Sequence, residues 1–415
     1  MRVLFLTYHF PEPDQPGAFR PWVEARLLRE LGHDVTVVTS AVQYMTGEDQ
    51  RQGRSWCEEA WRDGIRVLRV WAPRGYRRHV GSRIANYLAY AAGAFFAGLV
   101  RGGHADVVFA GTDPVSVGPA AFLLSLIKRA RLVLDERDLY PETAIALGVL
   151  REGWFSRLVF RLQEFWRRRA TGILAATPGI ARALQSYGHA AGKLGVMMNA
   201  DPYISQCVRS VTEHADDLHR LLGRRCVVAY SGGLGQNNDV STLLKAARRL
   251  RGNNNIGIAV IGEGEMRGAY EAFCRDQALD NVRILGPRAR DDARMLLATA
   301  DICVCLYHKG NLFKGTLASK VFDYLAVGKP VVFAGSGDTA DLLKRAGGGL
   351  SVCPEDADAV ADAIQRLDGD PELREALGAA GRAWYRENMS VEAALATLAH
   401  VIGGDNEDEQ QEVLG

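Results

Sequence analysis

The sequence predicts a doubly wound α/β protein built from two Rossmann-like domains, each around its own parallel sheet. Three observations support this fold class. Apolar segments of strand length alternate with helical patterns along most of the 415 residues. The alternation breaks once, in the polar and charged segment 201–223, and then restarts in the same order. The chain is also long enough for two or three domains, each with a core of its own.

The first half contains seven segments that we predict as strands. Helical patterns separate several of them, most clearly at 19–32 and 155–169. Since strands that alternate with helices form parallel sheets, we expect one parallel sheet in this half. The predicted strands are VLFLTYHF (3–10), DVTVVTS (34–40), IRVLRVW (65–71), DVVFAG (106–111), RLVLDER (131–137), TGILAAT (171–177) and LGVMMN (194–199).

The second half repeats this pattern, so we expect a second sheet of the same kind. Its predicted strands are RCVVAYSGG (225–233), IGIAVIGEG (256–264), NVRILG (281–286), DICVCLY (301–307), VVFAG (331–335) and GLSVCP (349–354). We therefore place the domains at 1–204 and 205–385, followed by a helical segment at 386–403. The tail 404–415 carries five acids and no base, a composition that predicts disorder.

Composition excludes several classes of protein. A formal net charge of +1 gives no bulk electrostatic reason to expect a nucleic acid as partner. Seven scattered cysteines argue against a disulfide framework, and we predict Cys303 and Cys305 as buried core thiols rather than zinc ligands. No signal peptide is visible, and the longest apolar run, 87–100, is shorter than the roughly 20 residues of a spanning helix. We expect a cytoplasmic protein, or one that is peripheral at the inner face of the membrane.

Glycine-containing segments follow three predicted strands of the second half. They are YSGGLGQNND (230–239), GEGE (262–265) and KGTLASKVFDYLAVGKP (314–330). Glycine lets backbone N–H groups approach an anion at a helix N-terminus, and the carboxyl ends of parallel strands border the ligand crevice of such sheets. For the first two segments, a tight turn with helix-capping side chains is the alternative.

At the start of the third segment, two cations, Lys314 and Lys320, flank the sequence GTLAS. A lysine beside a helix N-terminus opposes the helix dipole unless an anion is bound nearby, and a solvated lysine pair is the alternative. Asp323 follows Lys320 by three residues, so the two side chains would share one helical face.

In the first half, four consecutive charged residues (135–138) end a predicted strand. Asp138 and Glu142 are our candidates for contacts to a hydroxyl-rich substrate or for proton transfer. Helix capping and an ion pair with Arg137 are the alternative. The loop 9–20, rich in proline and glycine, leads into a helix and predicts an anion-binding or lid-like segment.

Two further patterns have simple structural explanations. The triplets DAD (356–358) and DGD (368–370) flank one predicted helix, so we interpret them as helix caps and predict no metal site. The helical pattern 154–169 is amphipathic and has two interpretations, packing on the sheet or docking on a membrane surface. Its apolar face comprises Trp154, Phe155, Leu158, Val159, Leu162, Phe165 and Trp166, and Arg157, Arg161 and Arg168 lie on the other face.

Together these segments resemble the family-4 glycosyltransferases of the GT-B fold. Within that family, the chain is most similar to the bacterial branch that builds polysaccharides or glycosylates small molecules. The resemblance covers about residues 1–400. It is carried by YHFPEPDQPGAFR, DGIRVLRVW, VLDERDLYPETAIALG, TPG (177–179), YSGGLG and ASKVFDYLAVGKPVV. It implies two domains facing across a cleft, with the acceptor on the first, the nucleotide sugar on the second, and the helix 386–403 crossing back to the first.

The resemblance also implies a chemistry. A sugar moves from a UDP- or GDP-linked donor to an acceptor with retention of configuration, without a metal or a cofactor. The acceptor, a soluble metabolite or natural product or else a lipid-linked glycan, attacks the face from which the diphosphate leaves. The implied catalytic residues are Asp138 and Lys320. The implied donor-binding residues are Gly17, Gly233, Gln236, Asn237, Gly262, Glu263, Arg288, Lys314, Gly315, Thr316, Leu317, Ala318, Lys320 and Asp323. The implied acceptor-binding residues are His9, Arg20, Asp138 and Glu142.

The sequence departs from the family pattern at two places. In the family's Glu-x7-Glu motif the second acid corresponds to Asp323, which is expected to contact the ribose, but Gly315 stands where the first acid should be. The basic pair that many relatives carry in the YSGGLG loop is replaced by Gln236 and Asn237. Two other functions stay open beside the transferase: a GT-B sugar-nucleotide epimerase and a non-catalytic sugar-nucleotide-binding protein.

Overall fold

The computed structural model describes residues 1–11, 19–43, 47–73, 80–146, 148, 150–204, 218–236, 238–309 and 317–403. The chain folds into two compact units. One comprises Met1–Met198 together with Val391–Gly415, and the other comprises Asn199–Ser390. Several predictions lie outside the described residues: the site assignments of Gly17, Asn237, Lys314, Gly315 and Thr316, and the acidic tail 404–415.

The first unit contains an eight-stranded sheet. Its strands are β1 (Arg2–Leu6), β2 (Asp34–Ser40), β3 (Cys57–Arg62), β4 (Ile65–Val70), β5 (Val107–Gly111), β6 (Arg131–Glu136), β7 (Gly172–Ala175) and β8 (Leu194–Val196). The order across the sheet is β3-β4-β2-β1-β5-β6-β7-β8, and every neighbouring pair is parallel except β3 and β4. The strand order reverses between β1 and β5, which is where sheets of this type bind ligands.

The helices of the first unit connect these strands. They are α1 (Arg20–Glu30), α2 (Val80–Val100), α3 (Val117–Lys128), α4 (Glu142–Ala146), α5 (Trp154–Arg169) and α6 (Pro178–Ser186). α2 packs against α3, and α3 packs against α5. α6 begins at Thr177, whose hydroxyl accepts a hydrogen bond from Ile180 N at 3.0 Å, with Pro178 in the first turn. A threonine cap followed by proline is a typical helix start.

The second unit has a six-stranded, fully parallel sheet. Its strands are β9 (Cys226–Ser231), β10 (Ile256–Ile261), β11 (Val282–Gly286), β12 (Ile302–Leu306), β13 (Val331–Ala334) and β14 (Gly349–Val352), in the order β11-β10-β9-β12-β13-β14. The order reverses between β9 and β12. Its helices are α7 (Leu218–Leu222), α8 (Val240–Leu250), α9 (Arg267–Asp276), α10 (Arg290–Thr299), α11 (Ser319–Ala326), α12 (Asp338–Ala346), α13 (Ala357–Gly369) and α14 (Pro371–Asn388).

The predicted fold class, two parallel-sheet α/β domains, is confirmed. The central strands are buried along their whole length because helices cover both faces, and this gives the continuous apolar runs seen in the sequence. The prediction missed β3, the antiparallel edge strand. Its sequence CEEAWR has one buried residue and two acids, so it carries no apolar run.

The last described helix, α15 (Val391–Gly403), belongs to the first unit. It packs against α1, β7 and β8. A Cβ atom at Gly172 would lie 2.1 Å from the carbonyl oxygen of Val401, and one at Gly195 would lie 2.4 Å from Cγ2 of the same residue. The backbone of this edge of the sheet therefore approaches α15 more closely than a side chain would permit.

Two smaller predictions are confirmed. Cys303 and Cys305 are free and fully buried, and burial raises the pKa of the Cys305 thiol to about 11. The Asp356 carboxylate caps α13 through Ala359 N at 2.9 Å, and Asp370 caps α14 through Leu373 N at 2.9 Å. The acids at both triplets thus act as helix caps. Among the helices of the described ranges, we find none with the combined length and hydropathy of a membrane-spanning segment.

The interpretation that the apolar side of helix 154–169 packs on the sheet is wrong. Of the seven apolar residues on its predicted core-facing side, Trp166 alone is buried, and Trp154 is 78% exposed. Buried polar residues occupy the side of α5 that faces the protein: Ser156, Gln163, Glu164 and Arg167. The helix was correctly identified as amphipathic, but its apolar side faces solvent.

Candidate functional site

Two glycine-containing loops meet at the carboxyl edge of the second sheet. Gly232 N, just after β9, donates to Ile261 O at 3.0 Å, and Gly262 N, just after β10, donates to Gly286 O at 3.0 Å. A Cβ atom at Gly262 would lie 1.9 Å from the carbonyl oxygen of Gly232. Only glycine permits this approach, so the residue type at position 262 is required by the contact between the loops.

α11 lies beside these loops because two of its side chains, one turn apart, reach the end of β9. The Tyr324 hydroxyl accepts a hydrogen bond from Ser231 N at 3.0 Å. Lys320, one turn earlier, donates to the Tyr230 hydroxyl at 3.1 Å and to Asn238 Oδ1 at 2.6 Å. The site therefore combines loops from both sides of the β9–β12 switch point, where this sheet topology predicts a ligand.

The described surroundings of Lys320 are polar, and none of its contacts there is a carboxylate. Its ammonium lies 4.7 Å from the ring centre of Tyr230 and 5.7 Å from that of Tyr307, and both rings attract a cation. Among the described residues, Lys320 makes no ion pair. Neutral oxygen atoms and aromatic rings hold the ammonium in place and leave its charge for an anion.

The start of α11 also offers backbone donors. Ala318 occupies the cap position and provides no side-chain cap, so the N–H groups of Ser319 and Lys320 have no hydrogen-bond partner within the described part of the chain. Ala318, a predicted donor-binding residue, does not have a free N–H group to offer a phosphate, because this N–H donates to Thr339 Oγ1 at 3.1 Å. Leu317 is half-buried just before this cap.

Asp323 does not share the surroundings of Lys320. Its Oδ1 accepts from Arg294 at 3.1 Å and from Arg290 at 3.4 Å, and Arg294 also pairs with Asp201 at 2.7 Å. Burial alone would raise the pKa of Asp323, but the two guanidinium groups outweigh it and lower that pKa. Since one oxygen of Asp323 is held by these arginines, a ribose contact would have to use the other.

The other predicted donor-site residues lie at the same edge of the sheet. Gly233 and Gln236 are exposed in the loop after β9, and the Gly233 carbonyl accepts from the Tyr230 hydroxyl at 2.9 Å. Glu263 is exposed and pairs with Arg267 at 2.7 Å, so its carboxylate is already engaged. Arg288 follows β11 and is exposed. Sequence reasoning missed Tyr230, Asn238 and Tyr307 as partners of Lys320.

In the first unit, Asp138 lies just after β6. Desolvation by the surrounding protein and repulsion from Asp113 raise the pKa of Asp138 to about 6, against the opposing effect of Arg137. Asp113 follows β5, next to the β1–β5 switch point, and its own pKa is raised by desolvation. Asp113 also follows a predicted strand, but it is not among the predicted site residues.

Glu142 begins α4 and accepts a hydrogen bond from the Tyr187 hydroxyl at 2.8 Å. Desolvation and this hydrogen bond raise the pKa of Tyr187 to about 12. Oε2 of Glu142 is buried and has no hydrogen-bond partner among the described residues. His9 follows β1 and is half-buried, with its ring 4.3 Å from that of Tyr8.

Arg20 has a structural environment that differs from the predicted acceptor contact. Its guanidinium is 4% exposed, pairs with Asp135 at 2.8 Å and Glu24 at 2.8 Å, and donates to Met197 O at 2.5 Å. Arg137 binds the other oxygen of Asp135 at 2.6 Å. Because protein groups surround Arg20, we assign it to holding α1 against β6 rather than to touching an acceptor.

Comparisons with known proteins cover both units. Residues 225–370 match the model described as Glycosyl transferases group 1, and residues 23–200 match the Glycosyl transferase 4-like domain. A protein of Escherichia coli named as a colanic acid biosynthesis glycosyl transferase, WcaI, is 23% identical over 367 residues, 84% of this chain and 86% of its own length. A second relative comes from Mycobacterium tuberculosis and is named a GDP-mannose-dependent alpha-(1-6)-phosphatidylinositol monomannoside mannosyltransferase. It is 27% identical over 175 residues, which cover 41% of this chain and 45% of the relative's length.

Solved structures share the fold at lower identity. HepE of Anabaena, crystallised with UDP-glucose, superposes with a TM-score of 0.69 at 16% identity. The superposition covers 97% of this chain and 99% of the HepE chain. Sucrose-phosphate synthase of Thermosynechococcus elongatus superposes with a TM-score of 0.70 at 15% identity, covering 96% and 98%. These two structures show that the two sheets of this chain have the GT-B architecture.

Proposed function

Because the chain is a family-4-type glycosyltransferase with the GT-B fold, we propose that it transfers a sugar from a nucleoside-diphosphate sugar to an acceptor hydroxyl with retention of configuration. We assign the diphosphate of the donor to the second unit, at the loops after β9 and β10 and the start of α11. The observation that carries the proposal is the position of Lys320, which lies at an uncapped helix start without a carboxylate partner among the described residues.

This arrangement suits a leaving diphosphate. As the bond between sugar and phosphate breaks, negative charge grows on the phosphate oxygens. The Lys320 ammonium and the N–H groups of Ser319 and Lys320 are already placed to receive that charge, so little reorganisation is needed during the reaction. These groups supply positive charge without a metal ion, and we propose a metal-independent transfer with no cofactor.

The proposed attack is front-face. The acceptor oxygen approaches the side from which the diphosphate departs, and that oxygen gives up its proton as the new bond forms. Since Asp138 has a pKa of about 6, it is largely ionised at neutral pH and can orient the acceptor hydroxyl or receive its proton. The rest of the rate enhancement would come from holding the two substrates together.

The donor and the acceptor are proposed from the relatives. HepE was crystallised with UDP-glucose and the mycobacterial relative uses GDP-mannose, so we propose a UDP- or GDP-linked sugar. The mycobacterial enzyme acts on a phosphatidylinositol monomannoside, by its name a lipid-linked glycan. We propose a lipid-linked acceptor here too, with the protein peripheral at the membrane; a soluble metabolite is the alternative.

One experiment tests the reaction. The full chain is incubated with UDP- and GDP-sugars, with and without EDTA, and release of the nucleoside diphosphate is followed while NMR reports the anomer of any product. We expect slow release that EDTA does not abolish, and retained configuration in the transferred sugar. Inversion, or dependence on a divalent ion, would contradict the mechanism. Tight nucleotide binding without release or transfer would favour the non-catalytic alternative.

A further inference from the structure

α5 shows the reverse of the usual arrangement of an amphipathic helix. Its buried side makes ion pairs: Arg167 binds Glu136 at 3.0 Å, with both side chains fully buried, and Glu164 contacts His189 at 3.1 Å. A surface helix normally buries its apolar side. Here the buried ion pairs fix which side faces the protein, so the outward direction of the apolar side is built into the fold.

Neighbouring helices continue the apolar surface. α2 packs against α3, and α3 packs against α5, and the outer residues of α2 and α3 are also apolar. Of the 19 large apolar side chains that are exposed in the described residues, 13 lie on these three helices. They are Ile84, Leu88, Phe96, Leu99 and Val100 on α2, Leu123, Leu126 and Ile127 on α3, and Trp154, Phe155, Leu158, Leu162 and Phe165 on α5. We call these 13 residues the apolar face. Exposed apolar side chains concentrated on packed neighbouring helices in this way indicate an interaction site.

An open groove runs between α3 and α5 within this face. It has a volume of about 350 Å³ and is lined almost entirely by apolar atoms, including those of Phe122, Leu123 and Leu162. Arg161 borders this groove and also a second depression of about 490 Å³, which Arg168 and Arg169 line. Apolar space therefore adjoins a basic pocket, with Arg161 common to both.

The charged residues on the three helices of the apolar face are basic with one exception. Arg157, Arg161, Arg168 and Arg169 are exposed on α5, and Arg169 lies 3.7 Å from the ring centre of Phe165. α2, α3 and α5 together contain one acid, Glu164, which is buried and paired. Within the described residues, Arg157 and Arg161 make no ion pair.

We propose that the apolar face docks the protein on a phospholipid bilayer that contains anionic lipid. Trp154, Phe155, Leu158 and Leu162 enter the boundary between headgroups and acyl chains, and the α5 arginines bind lipid phosphates. Exposed tryptophan and phenylalanine beside arginine are the composition of helices that lie in a membrane interface. A second copy of the chain fits less well, because a symmetric pair would oppose arginines with no exposed acid on these helices to match them.

This proposal locates the membrane contact that the proposed function includes, but it does not depend on the transfer reaction, because the apolar face contains none of the candidate site residues. Full-length protein is mixed with vesicles of phosphatidylcholine alone or with about 30% phosphatidylglycerol, and the bound fraction is measured by flotation at low and high salt. We expect binding to the anionic vesicles, much weaker binding to the neutral ones, and a loss of binding as salt rises.

One variant tests the apolar face, and a second tests the arginines beside it. The triple variant Phe155→Ser, Leu158→Ser, Leu162→Ser should weaken vesicle binding by at least about tenfold, because it removes most of the inserted apolar surface. The double variant Arg157→Gln, Arg161→Gln should lose the preference for anionic vesicles. All five residues are exposed, so the fold should be retained, which thermal unfolding checks. Matched controls away from the face are Trp61→Ser on β3 and Arg248→Gln on α8, both exposed, and these should bind like the wild type.

Four outcomes would overturn the proposal. They are no binding of the wild type to either vesicle, equal binding to both vesicles, full binding by the triple variant, and a lipid-free dimer that the triple variant dissociates. The last result, measured by sedimentation velocity, would show that a second copy covers the apolar face. A variant without transfer activity that still binds vesicles would leave the docking proposal intact.

Discussion

The ammonium group of Lys320 lies 2.6 Å from the side-chain oxygen of Asn238, a residue 82 positions earlier in the chain. Asn238 in turn donates from its side-chain nitrogen to the Gly233 carbonyl at 3.1 Å. The loop after β9 thus holds the lysine through a neutral amide. This contact fixes the ammonium without neutralising it, and the first two predictions depend on it.

Removing the ammonium should damage the reaction more than the fold. For Lys320→Met, which keeps an unbranched side chain against the tyrosine rings, we expect kcat to fall by about 10²- to 10³-fold, as when one charge-stabilising donor is lost. Donor affinity should fall as well. Lys344→Met, at an exposed position on α12, is the matched control. Wild-type turnover and donor affinity in Lys320→Met would exclude the diphosphate assignment.

Asn238→Asp changes the charge beside Lys320 with almost no change in shape. The new carboxylate would form an ion pair with the ammonium and repel a phosphate, so we expect the Kd for the nucleoside diphosphate to rise by about tenfold or more. Titration calorimetry measures this Kd, and Asn255→Asp, at an exposed position of the same unit, is the control. Unchanged affinity would mean that no anion approaches Lys320.

Asp323→Asn should reduce stability by about 2 kcal/mol at neutral pH, because Arg290 and Arg294 would keep their burial but lose a charged partner. The pKa of Asp323 is lowered in the folded protein, so its contribution is complete above the unfolded pKa of about 4 and is lost as the pH falls through the folded pKa. Urea unfolding at several pH values measures this.

The control for that measurement is Asp362→Asn, which removes an Arg249–Asp362 pair that is largely exposed. Such surface pairs contribute less than about 1 kcal/mol, so this variant should unfold almost like the wild type. Two results would contradict this prediction. One is an equal loss of unfolding free energy in the two variants, and the other is a loss in Asp323→Asn that stays unchanged in strong acid.

The pH dependence of kcat/KM should reflect the ionisation of the Asp138 carboxyl group. Because the ionised carboxylate is the form that can accept a proton, kcat/KM should decrease as the pH falls below about 6, the pKa of this group. Asp113→Asn removes a charge that raises this pKa, so the acid limb should move to lower pH. Asp138→Asn should lower the rate and abolish the limb. A limb that is the same in all three proteins belongs to another group.

Much of the candidate site could be predicted from sequence because strand ends are visible there. The glycine loops after β9 and β10 and Lys320 at the start of α11 follow apolar runs, and parallel strands place their carboxyl ends at one edge. The partners of Lys320 could not be predicted in this way. Tyr230, Asn238 and Tyr307 converge only once the strands are ordered across the sheet, and no local pattern reports that order.

The sequence did not show which charged residues are buried in ion pairs. Arg20 and Asp323 carry charges typical of binding sites, but both are held by residues distant in sequence. Arg20 forms a buried ion pair with Asp135, and Asp323 forms a partly buried one with Arg294. For α5, helical periodicity showed two different sides but not which one faces the protein. Arg167 and its partner Glu136 decide that orientation, and a pairing across 31 positions leaves no periodic signal.

The insertion of residues 199–390 within the first unit has a consequence for synthesis on the ribosome. α15, which packs against β7 and β8, is translated after every residue of the second unit. The second unit can therefore complete its fold while the nascent first unit still lacks a helix, and Gly172 and Gly195 stay uncovered until translation reaches Val401. The domain that begins the chain is the last to be finished.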